Sequence, residues 1–183
     1  MKWMIASDLH GSAAWCRRLL TEFSLEKAER LVLLGDLLYH GPRNPLPESY
    51  DPPFVAAMLN GIKDRILCVR GNCDAEVDQL VLEFPILADY AFLCLNGKTV
   101  CATHGHRYGP DNPPPLGKGD ILLCGHFHQP VCQDKGDFMY WNPGSLSLPK
   151  DGTPHSFMVL EDGVPSWRNI STGEAFTPLS AQM

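Results

Sequence analysis

Seven side chains that can bind a metal ion follow short apolar segments of this sequence. They comprise four histidines, two aspartates and one asparagine, which in chain order are Asp8, His10, Asp36, Asn72, His104, His126 and His128. Carboxylate, imidazole and amide donors in this number exceed the needs of one tetrahedral zinc ion and suit two divalent transition-metal ions. The residue types therefore predict a dinuclear site, with Mn2+ as the first choice and Fe, Co, Ni or Zn as alternatives.

The spacing of these residues predicts that they meet at one edge of a sheet. Residues two apart in an extended segment share a face, so Asp8 with His10 and His126 with His128 can each direct a pair of side chains to one place. Asp36 is the natural bridge, because one anionic oxygen donor can bind two ions and offset their repulsion. Two ions about 3.5–4 Å apart lower the pKa of a bound water and clamp the oxygens of an in-line displacement. That chemistry is phosphoester hydrolysis.

Strands and helices alternate in the half of the chain that carries the first of these residues. Short apolar runs such as Leu31 to Leu34 suit strands covered on both faces. Ser12 is a suitable N-cap for a helix over residues 13–23, and Pro52-Pro53 opens another over residues 54–61. The later half carries hairpin signals at Asn96-Gly97, Lys135-Gly136 and Asp162-Gly163. We therefore expect an α/β fold with a partly parallel sheet and a second, more antiparallel sheet layer.

Length and charge restrict the class of protein further. The chain has 183 residues, 44% of them hydrophobic, which suits one domain over residues 1–183 with a frayed C-terminal tail at 172–183. A formal charge of -6 argues against nucleic acid as a partner, since phosphate backbones require clustered Lys and Arg. The apolar start ends at Asp8, too early for a secretory segment, and no run approaches the roughly 18 apolar residues of a membrane span. We expect a cytoplasmic protein without a membrane anchor.

The seven cysteines contain no C-x-x-C pair, which is typical of reduced, buried thiols rather than of disulfides or a zinc ribbon. Cys73 is the exception, because it stands between Asn72 and Asp74 among the candidate ligands. It could be a nucleophile, a metal ligand, or a residue that replaces another chemistry. A thiol hydrolase would need a histidine base and no metal, and every well-placed histidine is already assigned to metal.

Six motifs carry a resemblance to a known family. In chain order they are SDLHGS, LLGDLLYHGPRN, VRGNCDAEVDQ, THGH, GHFHQP and NPGSLSLPK. Together they resemble the calcineurin-like metallophosphoesterases, and in particular the small bacterial and archaeal phosphodiesterases, from residue 3 to about residue 150. The resemblance implies a two-sheet mixed β-sandwich with helices on both outer faces, and a homo-oligomer. It also implies two ligand sets that share Asp36, namely Asp8, His10, Asp36 and His128 for one metal and Asp36, Asn72, His104 and His126 for the other.

The resemblance implies a phosphodiesterase that hydrolyses a small phosphodiester by means of a water activated by two metals. The residues expected to take part in catalysis are Asp36, Asn72, Cys73, Asp74 and His104. Arg43 and His106 are the candidate substrate contacts. The planar fork of Arg43 matches phosphate oxygens, while His106 has the alternative role of orienting a ligand. The competing interpretation is a protein-interaction scaffold on the same fold, against which stands the presence of all seven ligands.

Cys73 departs from the family pattern. Many relatives carry histidine at this position, where an imidazolium protonates the leaving oxygen and the following acid, here Asp74, orients it. A neutral thiol is a poorer acid, so we expect Cys73 to be neither nucleophile nor obligatory ligand. The enzyme should then favour diesters with good leaving groups, which need no proton donor.

Overall fold

The structure is a computed structural model that describes residues 1–180. Its strands and α-helices are β1 (Lys2–Ala6), α1 (Ala13–Leu25), β2 (Arg30–Leu33), α2 (Pro52–Asn60), β3 (Ile66–Cys68), β4 (Tyr90–Leu95), β5 (Lys98–Thr103), β6 (Asp120–Cys124), β7 (Pro130–Asp134), β8 (Phe138–Pro143), β9 (Ser156–Glu161), β10 (Val164–Asn169) and β11 (Ala175–Phe176). Short 3-10 helices occupy Lys63–Arg65 and Asp78–Leu80. In this part of the chain no helix is long and apolar enough to cross a membrane.

The strands form two mixed sheets. The first has six strands in the order β11-β10-β9-β1-β2-β3, with β1, β2 and β3 parallel and β9 antiparallel to β1. The second has five strands in the order β4-β5-β6-β8-β7, with β5, β6 and β8 parallel and hairpin partners at both edges. The expectation of a mixed two-sheet fold is therefore confirmed.

Alternate residues of β1 and β2 define the two apolar layers. Met4 and Leu31 belong to a core cluster with the buried faces of α1 and α2, whereas Ile5 and Val32 face the second sheet and share a cluster with Val100. The first layer is thus helix on sheet and the second is sheet on sheet. The carboxyl ends of the parallel strands mark one edge of both apolar layers.

Both helices begin at residues with side-chain caps. The hydroxyl of Ser12 accepts a hydrogen bond from the N–H of Trp15, and Asp51 caps α2 in the same way through the N–H of Phe54. The predicted cap of α1 is confirmed. The second helix begins at Pro52, two residues earlier than expected, because a proline at the first helical position has no N–H to satisfy.

The helices lie on one outer face of the sandwich, so the expectation of helices on both faces needs correction. Both α1 and α2 pack on the first sheet. The outer face of the second sheet carries a small cluster of Cys101, Leu122 and Tyr140, against which Leu116 packs from a loop. The crossover from β5 to β6 runs through the prolines at 113–115, and prolines in succession cannot supply the N–H groups of a helix.

The later half contains the predicted hairpins. Asn96 and Gly97 both have positive φ between β4 and β5, as do Asp162 and Gly163 between β9 and β10. Such pairs of positive φ match the twist of the flanking strands. Lys135-Gly136 lies between β7 and β8, which pair antiparallel.

Part of the tail that we expected to be frayed is paired. Strand β11 pairs with β10, and the backbone of Leu179 exchanges hydrogen bonds with Pro130 and Cys132 at 2.8 and 3.0 Å. Residues 181–183 of that tail lie outside the described residues. The pairing shields two edge segments, which explains why the chain is held there despite its polar composition.

All seven cysteines are free thiols. Cys16, Cys68, Cys101 and Cys124 are buried, as expected. Cys94 is exposed, contrary to expectation, because it alternates with the inward residues Ala91 and Leu93 and points outward from the edge strand β4.

Candidate metal centre

The seven predicted ligands lie in loops at the carboxyl ends of five strands drawn from both sheets. Asp8 and His10 follow β1, Asp36 follows β2 and Asn72 follows β3, while His104 follows β5 and His126 and His128 follow β6. Crevices at the carboxyl ends of parallel strands are the usual binding sites of α/β folds. Here two such edges face each other, so ligands from separate sheets meet.

One group joins Asp8, His10 and His128. Oδ1 of Asp8 lies 3.2 Å from Nε2 of His128 and 3.7 Å from Nε2 of His10, and the two Nε2 atoms are 3.4 Å apart. Nδ1 of His10 donates to the carbonyl of Tyr39 at 2.9 Å, and Nδ1 of His128 donates to that of Leu148 at 2.6 Å. These hydrogen bonds hold both rings with Nε2 toward the centre, as in metal sites of proteins.

A second group joins Asp36, Asn72 and His104. Nε2 of His104 lies 3.0 Å from Oδ1 of Asn72 and 3.4 Å from Oδ2 of Asp36. Its Nδ1 donates to the carbonyl of Leu34 at 2.6 Å. The same Oδ2 of Asp36 is 3.7 Å from Nε2 of His10 in the first group. Asp36 is therefore the residue that lies between the two groups.

His126 stands beside the second group. Its ring centroid is 5.1 Å from that of His104, and its backbone N–H donates to Oδ2 of Asp8 at 3.0 Å. His106 is a further neighbour, with a ring centroid 5.4 Å from that of His104. Its Nδ1 is buried without a hydrogen-bond partner among the described residues. His106 thus packs against the ligand rings, and its two candidate roles, a substrate contact and the orientation of a ligand, stay predictions.

The charges at the centre are strongly coupled. Burial alone would lower the pKa of His104, but the hydrogen bond and charge of Asp36 outweigh it and raise that pKa to about 9. Burial would likewise raise the pKa of Asp8, yet the neighbouring His10 and His128 bring it well below its usual range. Burial and the charge of His104 lower the pKa of His126 to about 4. Anionic oxygens and proton-bearing imidazoles are thus held in contact, as metal ligands are before a cation displaces their protons.

The donor set fits a divalent transition-metal ion. Oδ1 of Asp8 is buried and has no hydrogen-bond donor of good geometry within residues 1–180. Ligand atoms of Asp8, His10 and His128 all lie within 4.8 Å of one another, as do those of Asp8, Asp36 and His104. Carboxylate oxygens and imidazole nitrogens at such spacing are the ligands that Mn, Fe, Co, Ni and Zn share.

Five of the predicted ligands adopt left-handed backbone conformations that non-glycine residues rarely adopt. Their φ values are 57° for Asp8, 49° for His10, 56° for Asp36, 65° for His126 and 61° for His128. Such strain persists only where neighbouring contacts maintain it, and it concentrates at functional sites. At this edge of the fold it turns each side chain inward from the end of its strand.

The motif NPGSLSLPK supplies contacts that maintain these conformations. The hydroxyls of Ser145 and Ser147 both donate to the carbonyl of Asp8, at 3.0 and 2.9 Å. Nδ2 of Asn142 donates at 2.8 Å to the carbonyl of Gly125, the residue directly before His126. Sequence reasoning assigned no such role to these residues. The only signal was their inclusion in a motif of the resemblance.

The carboxylate of Asp74 binds backbone, and among the described residues it forms no hydrogen bond to the side chain of Cys73, so its part in catalysis stays a prediction. Its carboxylate accepts hydrogen bonds from the N–H groups of Asp36, Leu37 and Gly71, at 2.8, 2.9 and 2.7 Å. Burial raises its pKa, and these donors counter part of that effect. Asp74 therefore holds the Asp36 loop against the segment that carries Asn72.

Cys73 lies inside the cluster. Its backbone N–H donates to Oδ1 of Asp36 at 2.8 Å, and its thiol is 3.2 Å from Nδ2 of Asn72. Sγ falls within 4.8 Å of ligand atoms of His10 and Asp36. Burial and the charge of Asp36 raise the pKa of this thiol, which disfavours a nucleophilic thiolate.

A small cavity of about 70 Å³ opens over the centre. It is lined by Asp36, Asn72, Cys73, His126 and His128, and by the exposed cations Arg43 and Lys150. Arg43 thus lies at the rim of the centre, and its contact with a substrate stays a prediction. The backbone N–H of Lys150 donates to the carbonyl of His128 at 3.1 Å. The sequence did not predict this neighbour, because Lys150 lies 22 residues beyond His128.

The mixed two-sheet fold and the ligand-bearing edge belong to a known class. Residues 1–162 match the calcineurin-like phosphoesterase superfamily domain, so the chain belongs to that family. The family implies divalent metal ions, and the donor groups described above fit them.

Two relatives are similar over most of their length. The chain is 48% identical over 166 residues to phosphodiesterase YfcE of Escherichia coli K12, which covers 91% of this chain and 90% of the relative. The solved structure of that E. coli phosphoesterase superimposes with a TM-score of 0.94 at 44% identity, over 98% of each chain. The chain is also 24% identical over 177 residues to phosphodiesterase MJ0936 of Methanocaldococcus jannaschii, covering 93% of this chain and 98% of the relative.

Proposed function

We propose that this chain is a phosphodiesterase that hydrolyses a small phosphodiester with two divalent transition-metal ions, Mn2+ being the first choice. The observation that carries the proposal is the position of Asp36, whose Oδ2 lies 3.4 Å from His104 and 3.7 Å from His10, between the two ligand groups. A carboxylate in that position can be shared by two cations. The 48% identity to a phosphodiesterase supports the class of substrate.

The ligands divide between the two ions as the family pattern implies. Asp8, His10, Asp36 and His128 would hold one ion, and Asp36, Asn72, His104 and His126 the other. A bound pair of such ions supplies charge that acidifies water and offsets the charge of phosphoryl oxygens. The hydrogen bonds from Nδ1 of three of the histidines to backbone carbonyls keep the donor atoms in place before an ion arrives.

Other residues of the centre orient the substrate. Arg43 and Lys150 line the small cavity and can each donate to phosphate oxygens from the solvent side. Cys73 offers no imidazolium, so departure of the alcohol depends on its own acidity. The preferred substrate is therefore a diester with a good leaving group.

The net charge and the cavity argue for a small substrate. At a formal charge of -6 the chain has no general attraction for a polyanion, and the cavity over the centre holds little more than a phosphate group. A single domain, a cytoplasmic location and a homo-oligomeric assembly remain predictions.

The proposal is tested with Asp36→Asn. This change keeps the shape of the side chain but removes the shared charge, so we expect nearly all diesterase activity to be lost, together with bound metal measured by elemental analysis. Asp120→Asn is the matched control, because Asp120 lies on the second sheet and, within residues 1–180, its side chain accepts hydrogen bonds only from the N–H groups of Thr99 and Gly117. Activity should be measured on a panel of mono- and diesters with Mn, Fe, Co, Ni and Zn. Full activity of Asp36→Asn, or of chelator-stripped protein, would contradict the proposal.

A further inference from the structure

A second and larger cavity opens beside the metal centre. Its volume is about 660 Å³, within the range of about 300–1,000 Å³ that small-molecule sites occupy. Residues from three segments line it, including Tyr39, Tyr50, Pro53, Ala57, Cys73 and Val81. We call it the side cavity. Nothing in the hydrolytic mechanism above uses it.

The side cavity adjoins the small cavity over the centre at one residue. Cys73 lines both cavities, and its Sγ lies within 4.8 Å of ligand atoms of His10 and Asp36. Tyr39, which also lines the side cavity, accepts the hydrogen bond from Nδ1 of His10 through its carbonyl. A group attached to a phosphate at the centre would therefore meet the side cavity beside Cys73, whose side chain is small.

The walls of the side cavity suit an apolar ring. Tyr39 and Tyr50 present aromatic rings, and the N-terminal turn of α2 contributes prolines. Two polar side chains at its rim, Asn60 and Asp78, already form hydrogen bonds within the protein. Both polar atoms of Asn60 form hydrogen bonds, with Val81 and Glu83, and Asp78 accepts from the N–H of Ala75. A ligand with many polar edges, such as a nucleobase, would lose hydrogen bonds to water there and find few replacements.

We propose that the side cavity binds an apolar aromatic group esterified to the substrate phosphate, so that the enzyme prefers aryl diesters to alkyl or nucleoside diesters. This inference rests on the proposed function, because the phosphate must occupy the metal centre. The small thiol at position 73 favours this arrangement, since it adds little bulk where the two cavities meet.

Binding of two phosphonates to metal-loaded protein tests the inference without turnover. Phenylphosphonate and methylphosphonate carry the same anionic head and no ester bond, so calorimetric dissociation constants report the side cavity alone. Burial of a phenyl ring should make phenylphosphonate bind about tenfold more tightly than methylphosphonate. Equal affinities would overturn the inference and leave the proposed function intact. Failure of both probes to bind would instead count against the phosphate site itself.

Filling the side cavity should remove that preference. Ala57 is an exposed position of α2, so Ala57→Trp adds an indole to the wall without disturbing the core, and the affinity ratio should fall to about one. If Ala57→Trp does not fold, Val81→Trp is the alternative. Val81 also lines the side cavity and is 52% exposed, so its replacement by tryptophan should fill the cavity in the same way. Leu25→Trp, at a 69% exposed position of α1 outside the cavity, is the control and should keep the wild-type ratio.

Two other results would overturn the inference. One is adenosine monophosphate binding more tightly than phenylphosphonate, which would mean that the side cavity recognises a polar ring. The other is a wild-type oligomer that Ala57→Trp dissociates in sedimentation experiments, with no phenyl preference. In that case a second copy of the chain, rather than a substrate group, covers the cavity.

Discussion

Asp74 provides a strong test of how the centre is built. The residue is 4% exposed, and its carboxylate is the acceptor for three backbone N–H groups, those of Asp36, Leu37 and Gly71. Asp74→Ala would leave these donors buried without partners. Each such loss costs about 1–3 kcal/mol, and water entering the vacated space reduces the sum, so we expect the free energy of unfolding to fall by about 3–6 kcal/mol. That is a large part of the roughly 5–15 kcal/mol typical of a domain.

Urea denaturation of the metal-free protein measures this change directly. Asp74→Asn should give an intermediate loss, because one acceptor oxygen remains while the amide nitrogen opposes an N–H. Asp120→Ala is the matched control, since Asp120 also accepts two backbone N–H bonds but does so at the surface, where water replaces it. The free energy of unfolding should fall much less in Asp120→Ala than in Asp74→Ala. If Asp74→Ala lowered the unfolding free energy by less than about 1 kcal/mol, the three hydrogen bonds would not hold the Asp36 loop as we reason.

Two further substitutions examine the same loops. Gly71→Ala places a methyl group against the side chain and backbone of Asp36, so we expect a lower melting temperature and a lower metal content by elemental analysis, and unchanged values of both would refute the close approach. Cys73→Ala should keep activity toward activated diesters within about tenfold, because no general acid worth about 10²–10⁴ is removed. Abolished activity with intact metal content would instead assign a direct chemical role to the thiol.

Much of the centre could be predicted because its ligands share a local feature. Asp8, Asp36 and His104 each follow a short apolar run, and strands that end in polar residues bring them to one edge. Arg43 was found for a similar reason, since it lies in a loop that follows a ligand-bearing strand. The hairpins at Asn96-Gly97 and Asp162-Gly163 could also be predicted from local sequence, because their backbone angles depend on the turn residues themselves.

The contacts that hold the ligands were not predictable in this way, because they join distant segments. Asp74 bonds to Asp36 across 38 residues, and Ser145 bonds to Asp8 across 137. Lys150 reaches the cavity for the same reason. No local pattern specifies which buried N–H an aspartate will accept from, since several acceptors of similar chemistry compete for each donor.

The donor types, their order along the chain and the strands that end at them can all be read from the sequence alone. Only the tertiary structure decided that β1 and β2 of one sheet face β5 and β6 of the other, which brings His104 within 3.4 Å of Asp36. It also decided that both helices cover one face and that the side cavity opens between α2 and the segment after Asn72. The physical reason is that side-chain chemistry is a property of single residues, whereas sheet order and cavity shape follow from the packing of apolar surfaces far apart in the chain.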